Sequence, residues 1–91
     1  MEVQGTLNVQ CKCGKQHPFE AEEADFDIVS SEQRDNSIET GYRWYIDFNC
    51  SRCGKAIVID YNVVEFPKGK LSNQNVRTGG VELIEKFAFN F

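Results

Sequence analysis

Four cysteines stand in two short motifs, Cys11-Lys12-Cys13-Gly14-Lys15 and Cys50-Ser51-Arg52-Cys53-Gly54-Lys55. Thiolates are soft donors, and two of them on one tight turn converge on one ion. Two such turns supply four sulfurs, the donor set of a closed tetrahedral zinc site. Gly54 suits a backbone with positive φ that returns the chain to a second strand. Turn amides aimed at the sulfurs would stabilise their charge. Cys11, Cys13, Cys50 and Cys53 are therefore the expected metal ligands, with a structural Zn²⁺ as cofactor. Four thiolates and one Zn²⁺ carry −2, which takes the formal charge from −4 to about −6.

The same residues admit other chemistry. Four thiols in a small chain also suit disulfides, and Cys50/Cys53 also suits a redox dithiol. Redox pairs usually open a helix, whereas the residues after Cys53 read as a strand. His17 is the only histidine. It could replace Cys11 or Cys13 as a ligand, donate a hydrogen bond to the site, or sit in the loop. A closed tetrahedron leaves no position for a reactive water, which disfavours metal-assisted hydrolysis. The chain has no G-x-S-x-G, phosphate-binding loop or H-E-x-x-H motif. We expect no enzyme activity.

Both motifs must be held by strands. Val, Ile and Thr total 17 residues against 7 for Ala and Leu, and β-branching favours the pleated sheet. Thr6–Cys11 alternates polar and apolar residues and runs into the first motif. Tyr42, Trp44, Ile46 and Phe48 fall at every second position, and Ala56–Phe66 resumes the pattern after the second motif. This predicts a hairpin over Tyr42–Val64 with the second motif at its tip. Phe26–Val29 reads as a further strand. Phe19–Asp25 fits either a short helical turn or an exposed strand. Val81–Phe91 fits a strand better than a helix, because Phe87, Phe89 and Phe91 recur with period two. Ser30–Gly41 and Lys68–Gly80 read as polar loops. The expectation is one mainly β domain over residues 1–91, an antiparallel sheet of about five strands. An acidic insertion would cover 18–41 and a basic loop 67–80.

Two Cys-Gly turns, one of them inside a hairpin, resemble the zinc ribbon, a widespread group of small β modules. The resemblance covers Cys11–Lys15 and Tyr42 to about Val64, and implies ligation by the same four cysteines. The first pair is spaced C-x-C, and 36 residues separate the pairs. Zinc ribbons serve many processes, so the resemblance speaks to fold more than to role.

Charge narrows the partners. Residues 1–40 hold nine acidic and three basic side chains; residues 41–91 hold five and seven. An acidic surface disfavours indiscriminate nucleic-acid binding. The leading reading is a small protein-interaction module, an adaptor or inhibitor, working through its acidic segment or its aromatic tail. The alternative is a nucleic-acid-binding ribbon using residues 43–77, with Lys68, Lys70 and Arg77 facing phosphates. The opening Met-Glu-Val-Gln-Gly has neither a basic start nor an apolar stretch, and the apolar runs are too short to span a bilayer. The expected setting is the reducing cytoplasm, away from membranes.

Overall fold

The computed structural model describes every residue from Met1 to Phe91. Nine strands and one 3₁₀ turn follow in order: β1 (Glu2–Gln4), β2 (Thr6–Cys11), β3 (Gln16–Glu20), the 3₁₀ turn (Ala21–Glu23), β4 (Asp27–Arg34), β5 (Ser37–Asn49), β6 (Ala56–Glu65), β7 (Leu71–Gly79), β8 (Val81–Glu85) and β9 (Ala88–Asn90). All pairings are antiparallel. They form three sheets, ordered β3-β2-β8, β4-β5-β6-β7 and β1-β9. The mainly β, small single-domain expectation holds, but nine strands in three sheets replace about five in one. No helix is long and apolar enough to cross a membrane.

The β5–β6 hairpin carries the architecture. Its register runs from Thr40 opposite Glu65 to Asn49 opposite Ala56. Period-two alternation puts Trp44, Ile46 and Phe48 of β5 on one face with Ile57, Ile59, Tyr61 and Val63 of β6. Leu7 and Val9 of β2 join the same fully buried core. Half-buried Phe26 packs against it, with ring centroids 5.4 Å from Tyr61, 5.7 Å from Phe89 and 6.0 Å from Trp44. Phe87 is 2% exposed. Phe89 and Phe91 pack against the core as well, so the aromatic tail is largely an internal surface.

The structure corrects both loop expectations. Ser30–Gly41 is the body of the β4–β5 hairpin, turned at Asp35, whose φ is 50°. Lys68–Gly80 is mostly β7, and only Phe66–Lys70 forms a turn, containing the cis Phe66–Pro67 bond. β4 is exposed along its whole length, and β7 is an edge strand with a largely polar sequence. Such strands need no apolar alternation. The segment 18–41 is thus not one insertion but parts of β3 and β5 with the 3₁₀ turn and β4 between them. Val81–Phe91 is extended, as expected, but divided into β8 and β9 around the buried Phe87.

At the end of the sheet far from the cysteines, Glu65 is buried. Its carboxylate accepts hydrogen bonds from the Tyr42 hydroxyl at 2.8 Å and the Gly69 amide at 2.7 Å. Burial alone would raise its pKa. The Gly69 and Tyr42 hydrogen bonds, with the N-terminal ammonium and Lys68, overcome that and hold it below the ordinary carboxylate value.

Candidate metal centre

Each cysteine motif closes a hairpin. The first joins β2 to β3, where the Cys11 amide donates to the Lys15 carbonyl at 2.9 Å and the Gly14 amide to the Cys11 carbonyl at 2.8 Å. The second joins β5 to β6, where the Cys50 amide donates to the Lys55 carbonyl and the Gly54 amide to the Cys50 carbonyl, both at 2.8 Å. Gly14 and Gly54 take the left-handed conformation that these turns demand, with φ of 94° and 75°. The two knuckles are therefore the same device built twice.

The sequence-predicted ligands come together. All four sulfurs lie within 4.8 Å of one another. Cys11 Sγ is 3.4 Å from Cys53 Sγ, and Cys13 Sγ is 3.7 Å from Cys50 Sγ. A zinc–sulfur bond of about 2.3 Å makes the edge of a sulfur tetrahedron about 3.8 Å. The donor set thus fits one tetrahedral ion in both chemistry and size. Both of these contacts run between the knuckles rather than within one. Cys11 and Cys50 are buried, Cys13 is half-buried and Cys53 is exposed. The chain after Cys53 continues as β6, not as a helix.

Backbone dipoles prepare the site for charge. The Cys53 amide, with that of Arg52, lowers the Cys50 thiol to about 5; His17 and Cys13 help, and burial opposes them. The Lys55 amide pulls Cys53 the same way. Hydrogen bonding to Cys11, burial, and the Cys50 and Cys13 sulfurs outweigh it and push Cys53 up to about 11. One sulfur therefore ionises readily while a neighbour holds its proton. A dication bonded to all four removes that conflict.

His17 lies outside the sulfur cluster. It helps lower the Cys50 thiol and meets Phe48 edge-on, with ring centroids 5.3 Å apart. Its Nε2 is buried without a partner. Of the three roles open to it in the sequence, direct ligation is the one the cluster of four sulfurs leaves out.

The basic residues sort differently from their order in the chain. Lys68 and Lys70 sit in the β6–β7 turn, near Glu65. Arg77 lies opposite Asp60 on β7, roughly 20 Å further along the strand. Arg43 is held by Asp60 at 2.8 Å and lies over the Tyr45 ring. The Arg43 hydrogen bond is also the main reason the Asp60 carboxyl stays below its ordinary value. Lys12 and Lys15, which the sequence counts with the acidic half, stand instead beside Arg52 and Lys55 on the knuckles. Their placement within the cysteine motifs was the signal for that grouping.

No protein-family model, curated protein or solved structure matches the chain.

Proposed function

We propose that this protein is a non-catalytic binding module whose two hairpin tips are clipped together by one structural zinc ion. The observation that carries the reading is the convergence of four sulfurs, from turns 36 residues apart, into a cluster of tetrahedral dimensions. Cys11, Cys13, Cys50 and Cys53 would hold the ion. The amides of Arg52, Cys53 and Lys55 would offset the thiolate charge. Bound zinc would cross-link the knuckles and exclude the thiols from exchange. Four protein ligands close the coordination sphere, so the ion's role here is architectural.

The surface for a protein partner lies elsewhere. The acidic β4–β5 hairpin is exposed and is the part through which a basic protein partner would be engaged, as an adaptor or inhibitor engages its target. Elemental analysis of protein purified without added metal tests the reading. One zinc per chain is expected, and Cys13→Ser should lose it. A metal-free, fully folded protein, or zinc retained by Cys13→Ser together with Cys50→Ser, would overturn it.

A further inference from the structure

The cysteine end of the molecule gathers four cations although the chain is acidic. Lys12, Lys15, Arg52 and Lys55 lie on the two knuckles, and no carboxylate occurs within residues 11–17 or 50–55. The fold makes this grouping, because the sulfurs between these side chains lie within 4.8 Å of one another. None of the four cations is salt-bridged; the ion pairs involve only Arg34 and Arg43. With a zinc–tetrathiolate at −2, Asp47 beside Lys15 and Glu82 beside Lys12 and Lys55, the tip comes to about neutral in a molecule of about −6. A polyanion therefore meets the least repulsion at this end, where four cations stand free of ion pairs.

Beside these charges lies an open groove of about 550 Å³ between β3 and β5. Lys15 stands at its margin; His17, Phe19 and Phe48 wall it; Gln16 and Asp47 offer hydrogen bonds. A cation flanking an aromatic-walled slot is what a phosphate and its adjacent unpaired base require together. An acidic peptide would use the charge but not the slot.

We propose that the knuckle tip binds single-stranded nucleic acid. Lys12, Lys15, Arg52 and Lys55 take successive phosphates, and one base enters the groove against His17 and Phe48. The proposal rests on the zinc reading only for the rigidity of the tip.

Fluorescence anisotropy with labelled oligothymidylate and oligouridylate of about 15 nucleotides, over a salt series, tests it. Metal content is measured on the same samples. Binding should weaken with salt, with log K falling by about 0.7 per phosphate contact for each unit of log salt. The variant K12Q/K15Q/R52Q/K55Q should bind at least tenfold more weakly at unchanged zinc content. K68Q/K70Q/R77Q should bind as the parent does. Inorganic polyphosphate of equal charge should bind more weakly than the oligonucleotides, since it has no base for the groove. Absence of binding by the zinc-loaded protein overturns the proposal, as does binding untouched by the tip variant or lost in the distal one. Polyphosphate binding as tight as the oligonucleotides overturns the base-reading part and leaves an anion site. Tip-dependent binding by protein that contains no zinc supports the proposal while refuting the metal reading.

Discussion

Glu65 shows how one side chain turns solution pH into stability. Its carboxylate is buried yet held below its ordinary pKa by the Gly69 amide and the Tyr42 hydroxyl. The ionised form therefore favours the fold. Its contribution is present in full above about pH 5 and is lost as the pH falls through the lower folded value. Glu65→Gln should cost about 1 kcal/mol at pH 7, and the gap in Tm from the parent should shrink below pH 5. Comparing the two proteins at each pH cancels the proton-driven loss of metal common to both. A gap that stays constant into acid would refute this account. The Tyr42 hydroxyl is linked to the same pair: burial, then the Glu65 hydrogen bond, raise it to about 12, so it stays a donor throughout.

At the scale of elements, the β5–β6 ladder orders everything else. The aromatic side chains of Trp44, Tyr61, Phe26 and Phe87 form the joint between this sheet and the segments before and after it. Tyr61 and Phe87 stack at 5.9 Å with an interplanar angle of 27°. Truncating Phe87 to Ala should cost about 3–5 kcal/mol, read as a lowered denaturant midpoint. A change within 1 kcal/mol would mean that the tail is not part of the core. Sequence pattern reached these half-buried elements well. Trp44, Ile46, Ile57 and Ile59 announce their strand because one face is wet and the other dry. It failed at β7 because the half-buried face there carries Gln74 and Thr78 beside Val76, and at β4 for the converse reason. In Ser-Ser-Glu-Gln-Arg both faces meet water, so nothing selects a period of two, and pairing with β5 alone makes the strand. The four converging cysteines were legible because motif spacing is local chemistry. The grouping of Lys12 with Lys55 was legible only through the cysteine motifs that carry them, since the two lysines are far apart in the chain.

For the whole molecule, the proposed ion and the apolar core would share the work of stability. Only 12 of 91 residues are buried, within a body of 49 × 20 × 17 Å. So elongated a shape gives little interior for its surface, and a cross-link at one end is worth correspondingly more. A strong chelator should lower Tm by roughly 10 °C or more, since each kcal/mol shifts a domain of this size by about 4–8 °C. An unchanged melting curve in chelator would remove the ion from the account of stability. Loss of metal should be felt first at the knuckles, where Cys11–Lys15 and Cys50–Lys55 depend on it.

The two knuckles are also separated in time. A nascent chain presents Cys11 and Cys13 to the solvent well before Cys50 and Cys53, and β7, β8 and β9 follow later still. At roughly 10 residues per second, the stretch after Cys53 takes a few seconds to leave the ribosome. An ion captured as Cys53 emerges would staple the two tips together before β7, β8 and β9 have followed. The last strands would then close on prepared edges, β8 on β2 and β9 on β1.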